Sequence, residues 1–116
     1  MINIFSPSRY TLEKKALKKA VSFFLKQKDV DETVELNLIF IGKRKMRQIA
    51  STYKKEDIAL PVLSFDYSKD KSNASNLLGE VFLCYPQIVL LAAERNKRVN
   101  EMIIDMIKHG IENVLK

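Results

Sequence analysis

VNEMIIDMIKHGIENVLK, residues 99–116, is the stretch from which the rest of the chain is most easily read. Met102, Ile103, Met106, Ile107, Gly110, Ile111 and Val114 recur at three- and four-residue steps, the stripe of a helix packed on a core. Asp105, His109, Glu112 and Asn113 fall one turn apart on a neighbouring face, because residues i, i+3 and i+4 are helix neighbours. His109 is the only histidine of the chain. A lone histidine on a helix is ordinarily structural, since a zinc site takes three or four N, S or O ligands. The face reads as half a metal site.

A helix with one broad apolar stripe needs a layer to lie on, and the residues before it supply one. Pro86 is placed to open a preceding helix, with Gln87 to Asn96 carrying Ile88, Val89, Leu90, Leu91 and Ala92, and Asn96–Arg98 forming the link. Upstream of Pro86, Gly79–Cys84 reads as a strand, and so does Val62–Tyr67. Between these two lies Ser68–Asn76, a polar stretch with almost nothing to bury, expected to be a mobile turn. Thr33–Ile41 alternates Val34, Leu36, Leu38 and Phe40 against Glu35, Asn37 and Ile39, the pattern of a half-buried strand. Ile2–Phe5 is a short first strand before a Ser-Pro-Ser break. Thr11 is placed to cap a helix from Leu12 to about Gln27, with Leu12, Ala16, Leu17, Ala20, Val21, Phe23 and Phe24 as its apolar side. Gly42 opens a further helix to about Tyr53, with Met46, Ile49, Ala50 and Tyr53 inward. The order β-α-β-α-β-β-α-α predicts one α+β domain over residues 1–116, a four-stranded sheet packed with helices.

Composition narrows the function. The 116 residues carry a net charge of +6, and 47% are apolar, which suits a folded domain with a polyanionic partner, nucleic acid first and an acidic membrane surface second. No apolar run approaches the roughly 20 residues of a membrane-spanning helix. MINIFSPSRY lacks the features of a secretory signal, and the single Cys84 has no internal disulfide partner; a cytoplasmic protein is expected. Charge placement says more than the total. Lys14, Lys15, Lys18 and Lys19 share the outer side of the first long helix, either as an ordinary solvated face or as a stripe that tracks phosphates. Lys43, Arg44, Lys45 and Arg47 crowd the first turns of the second. There the helix dipole disfavours cations by about 0.3–1 kcal/mol each, a penalty that an anionic partner relieves. Glycine-rich phosphate loops, G-x-S-x-G elbows, C-x-x-C pairs and H-E-x-x-H helices are all missing. Ser64 has no evident base, and Cys84 lies inside an apolar strand, so nucleophilic chemistry is not expected of either.

Three local signatures resemble the YbeY family of rRNA maturation factors, described as metal-dependent, single-strand-specific endoribonucleases. A family stretch of the type L-N-x-x-Y-R, followed by T-D-V-L-S-F, is similar to Ile49-Ala50-Ser51-Thr52-Tyr53-Lys54 and then Leu60-Pro61-Val62-Leu63-Ser64-Phe65. L-G-D-I is similar to Leu78-Gly79-Glu80-Val81, and Cys84-Tyr85-Pro86 also fits. The family's last helix carries H-G-x-L-H-L-x-G-Y-D-H, whose three histidines bind zinc; His109-Gly110-Ile111 matches its start. Asn113 stands where the second histidine is expected, and the third would fall beyond Lys116. Lys54 replaces the arginine of the Y-R pair, keeping the charge and losing the planar fork.

The resemblance implies a YbeY-like fold, zinc as the family cofactor, and ribosomal RNA, the small ribosomal subunit or its assembly factors as partners. For this chain it implies an RNA-binding protein with a degenerate metal site, its phosphate contacts being Lys43, Arg44, Lys45, Arg47 and Lys54, extended by Lys14, Lys15, Lys18 and Lys19 if the first helix lies beside them. An active nuclease is the alternative: Asp105 and Glu112 would complete the ligands of His109, and Lys54 would act catalytically by stabilising developing charge. A non-catalytic module docking on a ribosomal or assembly-factor protein is the third reading.

Overall fold

The computed structural model describes residues 1–68 and 76–116. Its elements run β1 (Ile2–Phe5), α1 (Lys14–Gln27), β2 (Glu35–Ile41), α2 (Lys43–Lys54), β3 (Val62–Asp66), β4 (Leu77–Cys84), α3 (Tyr85–Glu94) and α4 (Val99–Val114), the order expected from the sequence. The strands form one sheet in the order β1-β2-β4-β3. β1 with β2 and β2 with β4 are parallel, and β3 with β4 antiparallel. Parallel neighbours need a crossover, and α1 provides it between β1 and β2.

Period-2 alternation splits the sheet into two faces. Leu36, Leu38 and Phe40 of β2 and Val81 and Leu83 of β4 face a main core shared with Leu17, Val21, Phe24, Ile88, Ala92, Met102, Ile103, Ile107 and Ile111. Thus α1, α3 and α4 cover one side. On the other, α2 covers a smaller cluster of Ile41, Met46, Leu63 and Cys84, with Ile49, Phe65 and Phe82 beside it. Each fully buried Ile, Leu or Met stabilises the fold by about 1.5–3 kcal/mol, and α4 supplies four of them, Met102, Ile103, Ile107 and Ile111, all at 0% exposure.

Several local expectations are corrected. Thr11 does not cap α1, which begins at Lys14 after Glu13 with no side-chain cap. The residues before it are held otherwise: Tyr10 N–H donates to Pro7 O at 3.2 Å, and the Tyr10 ring stacks on Tyr85 at 4.4 Å. The buried line of α1 is Leu17, Val21, Phe24 and Leu25, leaving Ala16 and Phe23 outward. Tyr53 is also exposed, its ring meeting the edge of Phe65 at 5.1 Å. Met106 is half-buried. The expected mobile turn over 68–76 falls mostly on residues 69–75, outside those described.

Cys84, fully buried at the end of β4, has its thiol pKa pushed up by burial. A buried, protonated thiol is a poor nucleophile. Cys84 is therefore expected to resist a thiol-reactive chromogen in the native state and to react stoichiometrically in denaturant, as followed by absorbance.

Candidate functional site

The residues singled out by sequence fall into two regions around α2 and α4. At the outer edge of β3, a cleft of about 490 Å³ is lined by Lys54 at the end of α2, Glu56 just after it, Ser64 and Asp66 of β3, and Asn113 of α4. Lys55 at the end of α2 takes a left-handed conformation, φ 59°, which stops the helix as Lys54 reaches the cleft rim. Lys54 and Asn113, far apart in sequence, therefore share one cleft. His109 lies one turn before Asn113 and is exposed.

The remaining candidate ligands do not complete a metal centre. Asp105 is held by Lys97, with Nζ to Oδ2 at 2.7 Å. Glu112 is exposed. Among the described residues, no three His, Cys, Asp or Glu side chains stand together as a metal-holding group. Zinc requires at least three such donors in a catalytic site, and one imidazole with a neighbouring amide is not that set. The described donors do not fit the ion.

Glu80 of β4 belongs to the α2 side of the sheet. It accepts from Asn37 Nδ2 at 3.2 Å and from Tyr67 Oη at 3.1 Å, and Asn37 Oδ1 accepts from Asn3 Nδ2 at 3.0 Å. This chain of side-chain bonds crosses the sheet from β1 through β2 to β4. The pKa of Tyr67 is raised by burial first and then by the charge of Glu80. Periodicity marked Asn37 and Glu80 only as polar-facing positions; their linkage needed the strand order.

The basic residues do not form one surface. Lys43, Arg44, Lys45 and Arg47 are exposed on α2, with no acidic residue in its first turn, and Arg47 has Asp57 at 3.9 Å. Lys14, Lys15, Lys18 and Lys19 are exposed on α1, which packs on the opposite face of the sheet. The condition for extending the α2 surface through α1 is not met. A second cleft of about 460 Å³ lies between α2 and the edge strand β1, lined by Phe5, Arg9, Ile39, Gly42, Arg44 and Lys45 among others. Phe5 and Arg9 were not singled out by the sequence, where nothing connects them to α2.

The family model described as "Endoribonuclease YbeY" matches residues 6–113. The chain belongs to the YbeY family. Relatives named Endoribonuclease YbeY include those of Finegoldia magna, 27% identical over 85% of this chain and 65% of that one, and Thermodesulfovibrio yellowstonii, 28% identical over 85% and 68%. The Bartonella bacilliformis protein of the same name is 31% identical over 91% of this chain and 66% of its own length. The chain thus spans about two thirds of the length of these YbeY relatives. The solution structure of TM1509 from Thermotoga maritima has a TM-score of 0.66 at 20% identity, covering 96% of this chain and 69% of that one; it shares the fold. No helix among the described residues is long and apolar enough to cross a membrane.

Proposed function

We propose that this YbeY-family chain is a cytoplasmic RNA-binding factor in ribosomal RNA maturation that holds single-stranded RNA on the α2 side, with the family's metal-dependent cleavage site degenerate. The observation that carries the reading is the exposed crowd of Lys43, Arg44, Lys45 and Arg47 on α2, unmatched by acids in its first turn. Lys54 extends that surface to the β3 cleft. Strands of RNA present a row of phosphates to such a surface, and cationic contacts position the strand without reading its bases. On this reading Lys54 binds a phosphate and Asn113 offers an amide beside it. The small ribosomal subunit and its assembly factors are the expected setting.

Binding of a labelled, unstructured oligoribonucleotide, followed by fluorescence anisotropy, tests this. About four to five phosphate contacts predict that log K falls against log salt with a slope of about −3, at ~0.7 per contact on a single strand. A flat curve between low and moderate salt would overturn RNA binding. Chelator-sensitive cleavage of the same RNA, abolished by His109→Ala, would instead overturn the degenerate site. A protein partner retained after nuclease treatment, in a chain that binds no RNA, would favour a docking module.

A further inference from the structure

The cleft between β1 and α2 combines an aromatic side chain, apolar residues and cations. Its apolar lining is Phe5, Pro7, Ile39, Phe40 and Ile41, and Phe5 is 53% exposed. Its walls bring in three cations from two separate segments: Arg9 from the loop after β1, and Arg44 and Lys45 from α2. Arg9 is directed there by Tyr10, whose hydroxyl lies 3.3 Å from Arg9 Nη2 and whose ring lies 4.8 Å from the guanidinium carbon. A Cβ placed on Gly42 would meet Tyr10 Oη at 3.4 Å and Arg9 Nη2 at 3.6 Å, so the guanidinium lies against the start of α2. Among the described residues, no carboxylate lines the cleft. An exposed aromatic ring, an apolar lining and three clustered cations together match a planar, apolar-faced group carrying a phosphate. A nucleotide has that chemistry.

We propose that this cleft is a nucleotide subsite for single-stranded RNA, in which one base stacks on Phe5 and its phosphate is held by Arg9, Arg44 and Lys45. The subsite rests on the RNA reading above and refines it, because it assigns the aromatic contact and adds Arg9. It lies on the α2 face beside β1, whereas the Lys54–Asn113 cleft lies at the opposite edge strand β3. A strand bound in the subsite therefore crosses the α2 side of the sheet from one edge toward the other. Base stacking on an aromatic ring is sequence-tolerant, so the subsite holds the strand and leaves its sequence unread.

The test compares Phe5→Ala and the double substitution Arg44→Gln/Lys45→Gln with the unaltered chain, using the same oligoribonucleotide across a salt series. Both changes are at exposed positions, and circular dichroism checks that the fold is kept. Phe5→Ala is expected to weaken binding about 5- to 150-fold, the range for one stacked base, with the salt slope unchanged. The double substitution removes two of the three cations on that phosphate and is expected to weaken binding and lower the slope by up to ~0.7, the value for one phosphate contact on a single strand. Wild-type affinity in Phe5→Ala, with RNA still bound by the unaltered chain, overturns the subsite and leaves the general RNA reading standing. Titration of uridine 5′-monophosphate into the isotope-labelled chain separates the two further. Amide shifts centred on Phe5, Ile39 and Gly42 support the subsite even where the oligonucleotide binds weakly. Shifts absent from these residues overturn it. Equal displacement of the oligonucleotide by polyglutamate and by polyuridylate also overturns it, since an acidic protein segment would then suffice.

Discussion

Gly79→Ala is expected to lower the stability of the chain by about 2–3 kcal/mol, the upper part of the range for overpacking a closed interior. None of the described glycines has a positive φ, so Gly79 is required by space and not by backbone conformation. A Cβ there would lie 2.5 Å from the carbonyl oxygen of Phe65 and 3.0 Å from Val114 Cγ1. The first contact is with backbone in the paired strand β3, which cannot swing aside as a side chain can. Relief requires β3 to shift or the end of α4 to lift, and either move disturbs the β3 cleft. Gly110 faces the same sheet from the helix: its Cβ would meet Val81 Cγ1 at 2.6 Å and Val62 Cγ2 at 3.2 Å. Gly110→Ala gains up to about 1 kcal/mol of helix propensity, which offsets part of its clash, so its net cost is expected to be the smaller of the two. Urea unfolding reads the difference directly: with m of about 1–3 kcal/mol/M, Gly79→Ala lowers the midpoint by roughly 0.7–3 M. A Gly79→Ala chain as stable as the unaltered one would mean that α4 does not approach β3 and β4 this closely in solution.

These two glycines also explain what the sequence disclosed and what it withheld. Leu78-Gly79-Glu80 and His109-Gly110 were legible as family signatures, and the structure gives each glycine a packing reason, the close seating of α4 on the sheet. The strands and helices were legible because each buries one face. Val34, Leu36, Leu38 and Phe40 alternate, while Ile103, Ile107 and Ile111 recur at every fourth residue, so local periodicity carried the element order. The ends were less legible. Thr11 has the chemistry of a cap, but the Pro7–Tyr10 turn and the Tyr10–Tyr85 stack hold the chain until Lys14. The long-range placements could not be read from spacing. That Lys54 and Asn113 share a cleft depends on α4 crossing to the edge strand, and that the α1 and α2 lysines are divided depends on which face each helix covers. The Asn3–Asn37–Glu80–Tyr67 chain depends on the strand order β1-β2-β4-β3. Side-chain chemistry was visible residue by residue, and its convergence was set by the fold.

Asn113→His is expected to give the chain a zinc affinity at least tenfold above its own, the clearest gain of function available at this site. His109 and Asn113 are both exposed on α4 and four residues apart, so their side chains leave the helix on one face about 5–6 Å apart at Cβ. Two imidazoles at this spacing are the pair that an H-x-x-x-H zinc helix uses, whereas a single imidazole leaves an ion held mostly by water. The unaltered chain, dialysed against micromolar zinc, is therefore expected to retain much less than one ion per molecule by elemental analysis. In Asn113→His, isothermal titration should show a site that disappears when His109→Ala is added. The same site should raise the unfolding midpoint with free zinc, the stabilisation reaching about 2.7 kcal/mol at a hundredfold excess over its dissociation constant. This second reading does not involve nuclease activity, so it reports ligation alone. One zinc per unaltered chain, lost in His109→Ala, would require donors beyond those described here and would restore the metal-dependent nuclease as the better reading. Without it, α4 offers zinc a single histidine, too few donors for a catalytic ion.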